Sequence, residues 1–136
     1  MKKNLIVGLL CLILIAASVV PCYAYAEATT VQPRWDNIKN ITLEMTFNGT
    51  NGTAIGTATR KTGVTSMEGT LTVYEIINGN WVYVGSNYGS TTGNSLMVTV
   101  QFKGVGGRSY KAVFEVTAYK NGVGETDTYT TYKNCL

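Results

Sequence analysis

The stretch GVGGRSYKAVFEVTAYKNGVGE, Gly104–Glu125, decides the fold. It opens on a glycine-rich turn and closes on Asn121-Gly122-Val123-Gly124, residues that accept positive φ at little cost. Between them Tyr110, Ala112, Phe114, Val116 and Ala118 alternate with Lys111, Glu115, Thr117 and Tyr119. An apolar residue at every second place, with polar residues between, is the pattern of a strand with one buried and one wet face. The reading is therefore a strand over Ser109–Lys120, with a turn at each end.

Working outward, the same alternation recurs. Ile41, Leu43, Met45 and Phe47 mark a strand over Ile41–Phe47. A turn with two Asn-Gly pairs, Asn48–Thr53, leads to an extended run to Arg60 whose small residues Ala54, Gly56 and Ala58 imply a close neighbour. Met67–Ile76 forms a third strand, and the Asn78-Gly79 pair signals a hairpin into Trp81–Tyr88. Ser95–Phe102 is the fifth strand. Glu125–Tyr132, rich in Thr and charge, reads as a polar edge strand. After the leader, no window carries apolar residues at helical spacing. The fold class is all-β: a two-sheet antiparallel β-sandwich of about seven strands.

The Gly104–Glu125 stretch resembles the sixth-strand region of fibronectin type III and other immunoglobulin-like domains. That resemblance covers Ile41–Tyr132 as topology. It implies that Tyr110 is a corner tyrosine whose hydroxyl bonds back to the preceding backbone. The chain departs from the immunoglobulin pattern on the second strand, where Gly56 and Ala58 stand in place of a Trp. From Pro33–Ile38 (PRWDNI) to the final TYKNC, the chain also resembles a group of small secreted Gram-positive proteins without known activity. That likeness implies a bacterial source, an extracellular location and this fold.

The N-terminus fits an extracellular destination. Lys2 and Lys3 precede an uncharged apolar run, Leu5–Val20, then Pro21 and the small residues Ala24, Ala26 and Ala28. This is the layout of a secretory signal peptide, with a helical apolar core and cleavage after Ala26 or Ala28. The run is shorter than the ~20 residues of a membrane-spanning helix. Neither Cys11, after Leu10, nor Cys22, after Pro21, follows the small residue a lipid-anchored start requires. The organisation is a signal peptide over 1–26, a lead-in over 27–40 whose Trp35 and Ile38 tuck against the sandwich edge, and the sandwich over 41–136. Removing the leader through Ala28 takes Lys2, Lys3 and Glu27 from eleven Lys+Arg and eight Asp+Glu, leaving nine against seven, a net of +2. Mild scattered charge gives no footprint for nucleic acid, and no membrane association follows once the leader is gone. Cys135 remains as the one cysteine, either an inert tail residue or the link of a disulfide-bonded dimer.

The chain has no His, which excludes Ser-His-acid triads, Cys-His dyads and His metal sites. Most acids stand singly on strand faces. Glu125 and Asp127 share a face, either as a weak calcium site or as charge that guards an edge. The chain reads as a non-enzyme with no cofactor and no metal. Its sharpest functional feature is GNWVYVGSNY, Gly79–Tyr88. Strict alternation puts Val82, Val84 and Tyr88 in the core and Trp81 and Tyr83 outside, beside Tyr74. Those three rings are either a strip on which a sugar stacks or a cross-strand brace of the hairpin. Three functions follow: an interaction or structural module for an unknown protein or glycan at the cell surface, a carbohydrate- or wall-binding module using Trp81 and Tyr83, or an envelope-active antimicrobial-type protein.

Overall fold

The computed structural model describes residues 35–136. The signal peptide, its cleavage points and the lead-in as far as residue 34 lie outside the described residues. Seven strands follow one another: β1 Ile38–Asn48, β2 Asn51–Arg60, β3 Ser66–Ile77, β4 Asn80–Thr91, β5 Ser95–Lys103, β6 Ser109–Lys120 and β7 Val123–Asn134. They form two antiparallel sheets, one ordered β1-β2-β5 and the other β4-β3-β6-β7. Strand β1 starts at Ile38, inside the stretch read from sequence as lead-in. Ile38 and Trp35 are both buried in the core.

The tight turns follow their sequence. Asn78 and Gly79 have φ of 52° and 80°, and Asn121 and Gly122 have 53° and 77°. Both pairs close two-residue hairpins, Ile77 opposite Asn80 and Lys120 opposite Val123. Two left-handed central residues match the strand twist, which is why Asn-Gly sits there.

The core lies between the sheets and takes the alternating apolar positions. Ile41, Leu43 and Met45 of β1 and Leu96, Val98 and Val100 of β5 face Leu71 and Val73 of β3 and Phe114 and Val116 of β6. The small residues of β2 make room for an aromatic ring from the opposite sheet. A Cβ at Gly56 would lie 2.6 Å from Phe114 Cδ1, and one at Gly69 3.0 Å from its Cε2. The fully buried Phe114 ring therefore occupies space that a larger β2 residue would need.

At one end of the sandwich, Tyr110 packs between Phe47 and Phe102, with ring centroids 5.2 and 5.4 Å away. Its hydroxyl accepts from the Val105 amide at 2.8 Å and donates to Glu75 Oε1 at 2.7 Å. Arg108 completes the corner with an ion pair to the same oxygen at 2.9 Å. Burial first, and the Glu75 carboxylate second, push the Tyr110 phenol above its ordinary pKa. Cys135 is not a frayed tail residue. It is fully buried, its amide donates to Arg108 O at 2.9 Å and its carbonyl accepts from Gly107 N at 2.7 Å. A disulfide to a second chain through this thiol requires that segment to leave its place.

The edges are covered locally. On β7 the Glu125 carboxylate accepts from the amides of Asp36 and Asn37 at 3.0 and 2.6 Å, holding the chain that enters β1. Asp127 Oδ1 accepts from Thr128 N at 2.6 Å. These carboxylates serve backbone amides, and no cluster of three or more metal-ligating residues occurs among the described residues. On β4, Asn87 Oδ1 accepts from Tyr88 N at 3.0 Å while its Nδ2 donates across to Thr99 O of β5, also at 3.0 Å. Each of these two edge strands thus has one amide satisfied by a neighbouring side chain, which opposes strand addition at that point.

Candidate interaction face

The aromatic hairpin strand departs from strict alternation. Tyr83 pairs with Tyr74, but Gly85 pairs with Val73, so Val84 is an extra residue in β4. This β-bulge shifts the faces by one. Val84 packs against the core. Tyr88, expected as a core plug, instead shares the outer face with Thr70 and is 57 % exposed. Val82 lies opposite Glu75, beyond the core, and is 42 % exposed. Past the bulge Gly85, Asn87 and Gly89 take the side that faces the other sheet: Asn87 bonds Thr99 O there, and a Cβ at Gly89 would lie 3.1 Å from Val98 Cγ2. The sequence expectation for Val82 and Tyr88 is therefore corrected, and the cause is a one-residue insertion that the hairpin turn does not signal.

Trp81, Tyr83 and Tyr74 all stand on the outer face of the four-stranded sheet. The register there sets Tyr83, Tyr74, Lys111 and Tyr132 side by side in one row across β4, β3, β6 and β7. Lys111 Nζ lies 4.9 Å from the centre of the Tyr74 ring and 4.7 Å from that of Trp81. A cation over two ring faces is held by their quadrupoles. Trp81 also leans on Tyr132 at 5.9 Å and 47°. Tyr83 meets Tyr74 edge-on at 6.4 Å and 81°, and its hydroxyl lies 3.1 Å from Ser86 Oγ. Neither ring pair is coplanar. Trp81 is half-buried in this cluster, while Tyr83 is 60 % and Tyr132 50 % exposed. Sequence alternation found Tyr74, Trp81 and Tyr83 but not Lys111 or Tyr132.

The other end of the same face is acidic. Glu68 on β3 accepts from Tyr88 at 2.8 Å and from Tyr119 at 2.5 Å, a clamp across β4, β3 and β6. The Tyr119 bond, then the Tyr88 bond, hold the Glu68 carboxyl below its ordinary pKa, and the same bonds raise both phenols. The linkage signs follow. A depressed carboxylate stabilises the fold above the ordinary carboxylate range, and that contribution is lost as pH falls through the folded value. The raised phenols lose theirs as pH climbs past about 10. Urea titrations at stepped pH should therefore show an acid limb that is shallower in Glu68→Gln than in wild type. Identical limbs would mean the clamp does not persist in solution.

A cleft of about 530 Å³ lies at Lys39, Arg60, Lys61, Gly63 and Asn94. Two of its cations are engaged: Arg60 bonds Asn94 Oδ1 at 3.2 Å and the Val64 carbonyl, and Lys61 bonds the Trp35 carbonyl. They close the β2–β3 loop.

No protein-family model matches the chain, and no curated protein matches it. Among solved structures, the chain is similar to part of Parabacteroides merdae β-glucuronidase, with 14 % identity and a TM-score of 0.45 over 68 % of this chain. The chain spans 13 % of that enzyme's length.

Proposed function

We propose that this chain is a secreted, bacterial, non-catalytic interaction module that meets a protein or glycan at the cell surface. The outer face of the four-stranded sheet is its binding face. The observation that carries this reading is the row Tyr83–Tyr74–Lys111–Tyr132, with Trp81 against it. Tyrosine, tryptophan and a fixed cation supply rigid contact area at low entropic cost, and such residues are enriched where proteins bind. Secretion rests on the leader over 1–26, and the lack of catalysis on the lack of His. The commitment of Glu68, Glu75, Glu125 and Asp127 to hydroxyls, a guanidinium and amides also supports it. We further infer that the sandwich is of the immunoglobulin or fibronectin type III kind. The three-plus-four division of strands and the bond from the Val105 amide to the Tyr110 hydroxyl support that assignment.

The carbohydrate reading keeps one favourable observation. Tyr83, at the exposed edge of the row, presents a ring for stacking, whereas Trp81 is partly covered by Lys111 and Tyr132. Labelled protein should be retained on intact bacterial cells, and Tyr83→Ser/Lys111→Ala should lose most of that retention. Parallel trials on insoluble peptidoglycan and a glycan array separate glycan from protein. Equal retention of wild type and variant on cells would remove this face from the function.

A further inference from the structure

We propose that the outer face of the four-stranded sheet binds the same face of a second copy of this chain, antiparallel and non-covalently. The inference rests on the reading of that face as the interaction surface and names a partner for it. Three observations carry it.

The first is charge. Lys111 and Glu115 both lie on the outer face of β6, on either side of Val113. Glu115 is exposed and makes no hydrogen bond or ion pair among the described residues, and Lys111 has no carboxylate partner there. Four residues apart on a strand, the two side chains stand about 13 Å from each other, too far to meet within one chain. A twofold axis in the interface plane, perpendicular to the strands at Val113, sets each Lys111 over Glu115 of the second copy.

The second is the match of the three central rows under that one operation. The row of Tyr83, Tyr74 and Lys111 falls on the row of Tyr88, Thr70 and Glu115. Tyr83 and Tyr88, 60 % and 57 % exposed, then face each other, and Val113 and Thr72 each meet their own equivalents. An isologous interface demands this self-complementarity, a patch whose halves fit one another when reversed. A face made for an unrelated partner has no reason to carry it.

The third is area. Strands β3, β4, β6 and β7 are each 12 residues long. At ~3.3 Å per residue and ~4.8 Å between strands, they make a face of roughly 750 Å². That is about one partner's share, ~800 Å², of a standard stable interface. Edge-to-edge pairing is the competing way for a sandwich to self-associate. On this sheet's two edge strands the amides of Tyr88 and Thr128 already bond the side chains of Asn87 and Asp127, which disfavours pairing there.

Sedimentation analysis of the purified chain over a concentration series tests the pairing. Wild type should show a monomer–dimer equilibrium. Lys111→Glu and Glu115→Lys should each weaken it by at least about tenfold, since each places like charges across both symmetric contacts. An equimolar mixture of the two variants should recover the wild-type dimer, because each contact again joins opposite charges. Glu115→Lys leaves the Lys111 ring contacts untouched, and a variant that had merely misfolded would not be recovered by mixing. A wild type that stays monomeric, single variants that dimerise as wild type does, or a mixture that fails to recover would each overturn the proposal. A monomeric wild type still retained on cells through Tyr83 would overturn the dimer alone. Loss of cell retention with an intact dimer would overturn only the surface-binding reading.

Discussion

Phe114→Ala should lower the free energy of unfolding by about 3–5 kcal/mol, the cost of removing a fully buried ring and leaving a cavity. A domain of this size has roughly 5–15 kcal/mol in all, so this variant stands near the limit of folding. The ring is fully buried and sits over Gly56 of the opposite sheet. Gly56→Ala puts a Cβ 2.6 Å from that ring, and overpacking of this kind costs about 1–3 kcal/mol. In a Phe114→Leu background the same Gly56→Ala change should cost clearly less, because the smaller side chain yields space. Urea unfolding of the four chains measures the coupling. Costs that add to within about 0.5 kcal/mol would show that the two residues do not share a site.

Tyr110→Phe should cost about 1–3 kcal/mol, since it leaves the part-buried Val105 amide without an acceptor. The ring stays with Phe47 and Phe102, so the loss reports the hydroxyl rather than packing. Arg108→Ala provides the contrast. Its guanidinium is 43 % exposed, and a solvent-accessible ion pair contributes about 0–1 kcal/mol. A Tyr110→Phe effect of only a few tenths would mean that water replaces the hydroxyl and the corner carries little of the stability.

The strand pattern was legible because each β6 and β1 side chain has only two directions to choose from, and burial selects one. Pairing across the hairpins was legible too. Counting back equally from Asn121-Gly122 sets Lys111 beside Tyr132, and from Asn78-Gly79 sets Tyr74 beside Tyr83. The first of these pairs, read together with the second, places Lys111 and Tyr132 in the same row as Tyr74 and Tyr83. The bulge at Val84 was not legible. Val-Tyr-Val-Gly alternates well enough to pass as regular strand, and only the packing of Gly85 and Gly89 against β5 requires the extra residue. The Glu68 clamp was hidden for the same reason. It joins Tyr88, displaced outward by the bulge, to Tyr119 of a strand that the chain reaches only after crossing to the other sheet and back. Cys135 looked like a tail because nothing in the sequence tells that its backbone bonds Gly107 and Arg108.

Hydroxyl-radical footprinting of the protein, free at concentrations low enough to keep it monomeric and bound to intact cells, tests the outer face of the four-stranded sheet most directly. Tyrosine and methionine both react, so both sandwich faces are read in one experiment. Tyr83, Tyr88 and Tyr132 should be protected on binding, while Met97, 67 % exposed on the outer face of the three-stranded sheet, should keep its full reactivity. Protection of Met97 with the three tyrosines unchanged would contradict binding through the four-stranded sheet.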